Sequence, residues 1–510
     1  MSDPTADPTH RQWPMARYHP QAVHAYCGNP FIEALPPMLT SRADMVGVMA
    51  RYPYWSAQDC DLDPFTRVQM AAQARFLFQP LQANIDLFCE LDRLIRNGYA
   101  ARNPVRAGYD AGVLAASGRM LLDIEEEEFS GQGKAIIGMS GLGKSMGVIR
   151  ALRYFPRVIT HTQYAGRPFI RQQIVWLKLD CPPKGSVKSL CIEFFAKVDE
   201  LLKTNYRKSM ARGASENSMK VDMARIAGIH GLGLLIIDEV QDLLLAGGSE
   251  AVLLAHLVRL MNAMGIPVVF VGTNKAIGLL TREFRKARRS SSFGSVQWHR
   301  MRPDRDFVLF CRALQKYQYL EERRPLDGDV AEVLYDESQG IAALAVAIFI
   351  MAQTRAILDQ SAHLKPVHIR SAALDDFGLL RAHIDLLRKG YGEVELPDVR
   401  DLVDRVEDMA FAHLGRRSSE VDLSGASADE FSPAESPAPA VTEASGAFPR
   451  PGAPAEAGAP SRRQRRGGKA GSACVLVQLM AKATEAKRAV HEALVEHGFI
   501  RPLGDEGLAE

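Results

Sequence analysis

The stretch that decides the fold is Gly138-Met139-Ser140-Gly141-Leu142-Gly143-Lys144-Ser145. It fits the phosphate-binding pattern G-x-x-x-x-G-K-[ST] and lies between an apolar run at 135–137 and a helical stretch at 146–154. A strand, a glycine-rich loop and a helix N-terminus in this order bind anions, because backbone N–H groups and the helix dipole attract phosphate. We therefore expect all eight residues to bind ATP. Lys144 would contact the β- and γ-phosphates, and the Ser145 hydroxyl would bind Mg²⁺.

Two carboxylates, Asp238 and Glu239, come directly after the apolar run 234–237, which is typical of a buried strand. We expect Asp238 to hold Mg²⁺ through water and Glu239 to act as the general base that activates the attacking water. The alternatives are a chance match for the loop and an ordinary strand-end turn for the carboxylates. The loop and the acidic pair together favour a nucleotide site over both alternatives.

Polar residues also follow two other apolar runs. Thr273 and Asn274 come after the run 268–272, and either side chain could orient the attacking water, with Asn274 as the first choice. Lys184 and Lys188 follow the second predicted strand and open a helix, so they are candidates for binding a DNA phosphate. Taken alone, the same lysines are ordinary surface residues.

A basic stretch at 282–289 lies between the last two predicted strands. In a ring-forming ATPase this position faces the nucleotide of the neighbouring subunit, where an arginine can stabilise transition-state charge. We rank Arg289, Arg288 and Arg285 in that order for this catalytic role. The alternative, a solvated basic helix face, explains any one of them equally well.

The composition is that of a globular protein without extreme charge. With 510 residues and 47% apolar content, the chain is long enough for two or three domains. Its net charge of +2 means that any DNA contact must come from a local patch. The seven cysteines lack C-x-x-C spacing, which argues against a zinc site and for a reducing cytosol. The longest apolar run, 341–352, is too short to span a bilayer, so we expect no membrane partner.

Strand and helix patterns alternate between 131 and 305, which is typical of a parallel sheet with helices on both faces. The predicted strands are 134–138, 174–181, 234–239, 268–273 and 295–300. The predicted helices between them are 144–154, 187–204, 219–229 and 250–264. Helices are also predicted after the sheet, at 306–320, 329–337, 341–358, 374–389 and 396–412. The sequence thus predicts an α/β P-loop NTPase fold, in which a parallel five-stranded sheet is flanked by helices and followed by a helical lid.

The composition divides the chain into six parts. The predicted parts are a flexible N-terminal region at 1–60, a helical N-terminal extension at 61–130, the nucleotide-binding core at 131–305, the helical lid at 306–415, a linker at 416–473 and a docking module at 474–510. The linker is rich in Ser, Ala, Gly, Pro and Glu, so it cannot bury enough apolar surface to offset its ordering entropy, and we expect it to be disordered. Helical periodicity returns after 474, as expected for a docking module on a tether.

An apolar segment near the N-terminus, 29–37, is bracketed by prolines. Prolines at both ends favour an extended strip over a helix. Such a strip could equally pack on its own domain or bind a partner.

Beyond the ATPase motifs, several segments are similar to those of a known family. These segments are Tyr26 with 29–37, 98–104, 287–289 with 293–294, 338–340 and 364–368. They resemble signatures of the TnsC/TniB family of AAA+ ATPases, which regulate cut-and-paste transposons, and in particular of the prototypical TnsC subgroup. The resemblance covers about residues 26–390.

The resemblance implies a bacterial, cytoplasmic protein that assembles on double-stranded DNA as an ATP-dependent ring or filament and is nucleoid-associated when bound. It implies a signal from a target selector of the TnsD/TniQ type, received by the N-terminal region, and activation of the transposase subunits TnsA and TnsB through the C-terminal module. ATP hydrolysis would reset the complex. Lys184 and Lys188 occupy the loop that follows DNA inside the ring in related ATPases.

One departure concerns the start of the lid helix, where many AAA+ proteins carry a sensor arginine. Here the segment 340–343 has none. Nucleotide closure would then depend more on the neighbour's arginine, or hydrolysis would be slow. Two alternative functions stay open: another AAA+ DNA-remodelling or initiator ATPase, and a nucleotide-gated adaptor that scarcely hydrolyses ATP.

Overall fold

The computed structural model describes residues 13–120, 131–182, 185–210, 214–245, 250–287, 291–390, 405–406 and 408–413. All of them lie within Met1–Ser427. The predicted linker, the docking module and most of the predicted helix 396–412 lie outside the described residues.

The predicted parallel sheet is confirmed. The strands of the described part are β1 (Gly131–Ile137), β2 (Val158–Tyr164), β3 (Arg167–Ile174), β4 (Trp176–Asp180), β5 (Leu234–Asp238), β6 (Val268–Gly272) and β7 (Ser291–Gln297). Five of them form one parallel sheet in the spatial order β4-β5-β6-β1-β7. Sequence patterns missed the antiparallel pair β2–β3 and started the last strand four residues too late.

Helices flank the sheet and follow it. Those before β1 are α1 (Pro30–Glu33), α2 (Arg42–Met49), α3 (Pro64–Ala72), α4 (Gln82–Ala100) and α5 (Tyr109–Arg119). Those between strands are α6 (Lys144–Leu152), α7 (Val187–Leu202), α8 (Tyr206–Met210), α9 (Glu216–Ile229), α10 (Glu250–Met264) and α11 (Ile277–Ala287). Those after β7 are α12 (Arg305–Leu314), α13 (Gly328–Ser338), α14 (Ala342–Leu358), α15 (Pro366–Asp375) and α16 (Arg381–Arg388). Within the described ranges, no helix is both long and apolar enough to cross a membrane.

Apolar residues fill both faces of the sheet because successive side chains of a strand point to opposite faces. In β5, Leu234 and Ile236 pack into one core cluster, and Leu235 and Ile237 pack into the other. Strands β5 and β6 are buried along their whole length. The near-continuous apolar runs of the sequence are therefore explained by helices on both faces.

The extended strip predicted at 29–37 is wrong. Asn29 caps α1 by accepting a hydrogen bond from the backbone N–H of Phe31 (3.1 Å), and Pro30 occupies the first helical position, where its missing N–H costs nothing. Phe31 and Ile32 are fully buried. This segment packs on its own domain.

The predicted helix 374–389 is also wrong. The chain instead forms α15, which begins at Pro366, and a separate helix α16, with a 3-10 turn at Gly378–Leu380 between them. Proline is tolerated in the first turn of a helix, so the Lys365-Pro366 step was a start signal. The Asp376 carboxylate, just after α15, pairs with Arg355 and with His413. The break therefore places an acceptor for Arg355 of α14 directly after α15, and this ion pair fixes α15 against α14.

Two of the segments that carry the family resemblance contact each other. Asn29 donates from Nδ2 to the carbonyl of Tyr99 (2.7 Å), and Asn103 donates from Nδ2 to the carbonyl of Gly28 (2.8 Å). Arg102 donates to the carbonyl of Leu232 (2.8 Å), just before β5. These segments therefore join the N-terminal region to the end of the sheet where β5 begins, and the bonds of Asn29 and Arg102 are buried.

The N-terminal helices do not pack as a separate layer. Helix α3 packs against α14, and α4 packs against α6. Tyr317, after α12, donates a hydrogen bond to the carbonyl of Pro53 (3.1 Å). The helices predicted as an extension therefore contact both the sheet layer and the helices that follow it.

A buried histidine in α10 should make the fold acid-sensitive. His256 is 3% exposed, and neither ring nitrogen has a hydrogen-bond partner among the described residues. Burial, followed by the charges of Lys220 and Arg259, lowers its pKa from 6.5 to about 3. Since the unfolded chain binds the extra proton between these values, stability is present above pH 6.5 and is lost as the pH falls below it. Between pH 7.5 and pH 5, protonation of His256 in the unfolded chain should lower the free energy of unfolding by about 2 kcal/mol. Urea unfolding of His256→Leu over the same pH interval should therefore show a loss of stability that is smaller by this amount than the loss in the wild type.

The exposed His24 provides the control. Unfolding of His24→Leu should show the same acid loss as the wild type. Equal pH dependence in the wild type and in His256→Leu would contradict the prediction.

Candidate nucleotide-binding site

The phosphate-binding loop runs from Gly138, directly after β1, to Gly143, directly before α6. Gly141 and Gly143 have φ values of 79° and 82°, which favour glycine over residues with a side chain. A Cβ at Gly143 would meet no atom within 4 Å, so space is open in front of the first turn of α6. This arrangement is the one expected of an anion-binding loop.

A tryptophan that sequence patterns did not indicate holds the phosphate-binding loop through hydrogen bonds. Trp298 donates from Nε1 to the carbonyl of Leu142 (3.2 Å), and its backbone N–H donates to Ile137 (2.6 Å). A Cβ at Gly138 would lie 2.2 Å from the carbonyl oxygen of Trp298, so this position requires glycine. Lys144 is nearly buried, and its ammonium donates to the carbonyls of Gly138 (2.8 Å) and Met139 (2.7 Å).

Asp238 lies at the carboxyl end of β5 and is 3% exposed. Its Oδ1 accepts hydrogen bonds from the Ser145 hydroxyl (3.0 Å) and from the backbone N–H of Glu239 (3.0 Å). Its Oδ2 pairs with Lys178 of β4 (3.1 Å). The structure thus brings the two residues predicted to hold Mg²⁺ into direct contact, and it adds a lysine that the sequence did not indicate.

The charge state of Lys178 is fixed by its neighbours. Burial alone would lower its pKa, but hydrogen bonds and charges of Asp180 and Asp238 outweigh burial, and the pKa is raised. Lys178 therefore stays protonated at neutral pH and offsets part of the negative charge of Asp238.

Glu239 follows Asp238 with a φ of 58°, a conformation that few residues with side chains adopt. Its carboxylate accepts a hydrogen bond from the side-chain NH₂ group of Gln241. The side-chain oxygen of Gln241, Oε1, accepts a hydrogen bond from the backbone N–H of Thr273 (2.9 Å). Asn274 begins a 3-10 turn next to Thr273. The predicted general base and Thr273 therefore belong to one hydrogen-bonded group, and Asn274 is the next residue in the chain.

Strand pairing explains why these residues meet. Strand β6 lies between β1 and β5, and Ile137 pairs with Gly272. The backbone N–H of Gly138 donates to the carbonyl of Gly272 (3.3 Å). Because the strands are parallel, the loop after β1 and the polar residues after β5 and β6 share one edge of the sheet.

The residues at this edge fit a magnesium nucleotide. The Thr273 hydroxyl is buried and has no hydrogen-bond partner among the described residues, so it is available to a ligand. The hydroxyl of Ser145 and the carboxylate of Asp238 are oxygen ligands of the kind that Mg²⁺ prefers. Lys144 supplies a positive charge beside the loop.

Comparison with known proteins identifies the same region. Residues 130–280 match the family model described as "AAA domain". The chain carries an AAA-type P-loop domain. The matched family model and the order of the strands in the sheet together identify the AAA+ P-loop fold.

Solved structures match part of this chain at low sequence identity. The ORC2 protein of Aeropyrum pernix is 12% identical, with a TM-score of 0.32 over 61% of this chain and 95% of that chain. Cdc6p of Pyrobaculum aerophilum is 14% identical, with a TM-score of 0.33 over 62% and 87%. No curated protein matches the chain.

The AAA domain is joined to α14 at the phosphate-binding loop. The backbone N–H of Ala343, in the first turn of α14, donates to the carbonyl of Gly141 (3.0 Å). Gly340 has a φ of 74°, and a Cβ there would lie 2.1 Å from the carbonyl oxygen of Met301. The segment 340–343, which has no sensor arginine, thus contacts the phosphate-binding loop through the backbone N–H of Ala343.

The remaining predicted residues are not brought to this edge by the described part of the structure. Arg288, Arg289 and Lys184 lie outside the described residues, and only the backbone of Arg285, in α11, is described. Lys188 is exposed in the first turn of α7. The catalytic role of the arginines and the DNA-binding role of the lysines remain predictions.

Proposed function

We propose that this protein is an ATP-hydrolysing switch that assembles on double-stranded DNA and regulates target choice in DNA transposition. The ATPase part of the proposal is supported by one observation. Five residues lie together at one edge of the sheet: Lys144, Ser145, Asp238, Glu239 and Thr273.

Each residue of this edge has a role in ATP hydrolysis. Lys144 binds the β- and γ-phosphates, and Ser145 with Asp238 would hold Mg²⁺, which would offset the phosphate charge. Glu239 takes a proton from the attacking water, and Thr273 or Asn274 orients that water. Arg289, Arg288 or Arg285 of a neighbouring copy would stabilise the transition-state charge.

The resemblance to the TnsC/TniB family over residues 26–390 supports the transposition part. Two of its segments contact each other: Asn29 donates a buried hydrogen bond to Tyr99, and Asn103 donates an exposed one to Gly28. On this proposal, the protein forms a ring or filament on DNA, receives a signal from a selector of the TnsD/TniQ type, and activates TnsA and TnsB. Lys184 and Lys188 would contact DNA phosphates in the bacterial cytoplasm.

The proposal predicts that DNA binding depends on ATP and on Lys144. The purified protein should bind a random-sequence duplex and form larger assemblies with a non-hydrolysable ATP analogue, but not with ADP or without nucleotide. Lys144→Ala should weaken nucleotide binding by about 10- to 100-fold, since a charge-assisted hydrogen bond contributes about 1.5–3 kcal/mol. DNA binding and assembly should be lost at analogue concentrations that saturate the wild type. Fluorescence anisotropy and light scattering measure both.

The matched control is Lys197→Ala. Lys197 lies on α7 with a side chain that is 42% exposed and paired only with Glu200 among the described residues. This variant should behave as the wild type. Equal DNA binding in all three nucleotide states would contradict the proposed switch.

A further inference from the structure

Gln241 joins the two strand ends that carry the candidate catalytic groups. It lies in the 3-10 turn Val240–Leu245 after β5, and its Nε2 donates to the Oε2 of Glu239. Its Oε1 accepts from the backbone N–H of Thr273, after β6, at 2.9 Å. Gln241 thus links Glu239 and Thr273, which are 34 positions apart in sequence.

Chemistry fixes the orientation of this amide. The carboxylate of Glu239 can only accept, and the backbone N–H of Thr273 can only donate. A flipped amide would set its oxygen against the carboxylate and its NH₂ against the N–H. Both contacts are satisfied in one orientation alone, so Gln241 has a single favourable position.

The chain leaves room for this contact at Gly272. A Cβ there would lie 3.0 Å from the Oε1 of Gln241 and 3.5 Å from Val240. Val240 is fully buried and anchors the start of the turn Val240–Leu245. The glycine at the end of β6 therefore allows the turn after β5 to approach closely.

We propose that Gln241 is a positioning residue for ATP hydrolysis, which holds one oxygen of Glu239 and fixes the position of Thr273 relative to it. This inference rests on the proposed ATPase function. The carboxylate of Glu239, held in place by the amide, accepts the proton from water. The water oxygen then forms a bond to the γ-phosphorus, the bond to the leaving ADP oxygen breaks, and the proton stays on Glu239.

The mechanism predicts a loss of turnover without a loss of binding. Gln241→Met has a similar side-chain volume but makes neither hydrogen bond, so the Glu239 carboxylate can rotate away. The kcat should fall by about 10- to 100-fold, because a misplaced general base loses much of its contribution. KM and the affinity for a fluorescent ATP analogue should stay within about threefold, since Gln241 does not itself bind phosphate in this mechanism.

A second variant gives a readout that a purely structural role would not change. Gln241→Glu keeps the side-chain length and can still accept from Thr273, but it sets a second carboxylate beside Glu239. Repulsion between the two like charges would move the Glu239 carboxylate away from its place beside Thr273. The kcat should therefore fall by about 10- to 100-fold, as in Gln241→Met, while KM and the affinity for the ATP analogue stay within about threefold.

Gln58→Met is the matched control, because Gln58 is exposed and lies in the short 3-10 helix Ala57–Asp61 between α2 and α3. It should leave kcat and KM unchanged. A kcat of Gln241→Met within twofold of the wild type, in a protein whose Glu239→Gln variant is inactive, would overturn the inference alone. If Gln241→Met fails to fold by thermal melting, a kcat of Gln241→Glu within twofold of the wild type overturns it instead. If the wild type does not hydrolyse ATP, or Glu239→Gln is as active as the wild type, the proposed ATPase function fails and the inference fails with it.

Discussion

Glu239→Gln should lower the rate of ATP hydrolysis by about 10²- to 10⁴-fold, the range that a general base contributes. The amide has the same shape as the carboxylate, but it cannot accept the proton of the attacking water. Lys144, Ser145 and Asp238 are unchanged, so ATP binding should be retained. Phosphate release measures the rate, and the affinity for an ATP analogue measures binding.

The same variant should remain on DNA in the presence of ATP. If hydrolysis resets the switch, a protein that binds ATP without hydrolysing it stays in its DNA-bound state. The lifetime of the complex on an immobilised duplex should therefore increase in proportion to the loss of turnover. Glu321→Gln, at an exposed position after α12, is the control and should dissociate as the wild type does.

This experiment also separates the proposed switch from a nucleotide-gated adaptor. In an adaptor, ATP is a structural ligand, so loss of hydrolysis changes neither assembly nor release. A Glu239→Gln variant with wild-type DNA lifetime would therefore favour the adaptor, even if its turnover is lost. Wild-type turnover in this variant would instead show that another group is the base.

The sequence predicted the central sheet and the nucleotide edge because their signals are local. Apolar runs ended at the glycine-rich loop that begins with Gly138 and at the polar residues Asp238 and Thr273, and parallel pairing brought these ends together. The sequence did not indicate Trp298 or Lys178, because their contacts depend on which strands become neighbours. Lys178 meets Asp238 only because β4 pairs with β5 in the register Asp180 to Asp238.

The N-terminal segment shows a different limit. Its prolines suggested an extended strip, but one helical turn needs only a cap and a tolerated first residue, which Asn29 and Pro30 provide. Whether such a short apolar segment packs on its own chain depends on a complementary surface. Here Tyr99 and Gly231 supply that surface, 70 and more residues away in sequence. Gln241 had a local signal, an amide two residues after the general base, but its partner Thr273 became evident only in the fold.

Gly340→Ala should destabilise the protein by about 3 kcal/mol or more and weaken nucleotide binding. The methyl group would lie 2.1 Å from the backbone oxygen of Met301, and the φ of 74° is strained for any residue with a side chain. A positive φ alone costs about 1–3 kcal/mol, and a backbone clash forces a further shift of the chain. That shift would move α14, whose Ala343 N–H donates to the loop carbonyl of Gly141. Thermal melting with and without an ATP analogue measures both effects.

Gly112→Ala is the matched control for this substitution. Gly112 lies within α5, where a Cβ would meet no atom within 4 Å, so alanine should be neutral or stabilise the helix by about 0.5–1 kcal/mol. If Gly340→Ala melts like the wild type, the contact between α14 and the loop is not a structural requirement. If it melts lower but binds the analogue as tightly, α14 supports the fold without contributing to the nucleotide site. Loss of both would mean that a backbone amide at the start of α14, rather than a sensor arginine, couples these helices to the phosphate-binding loop.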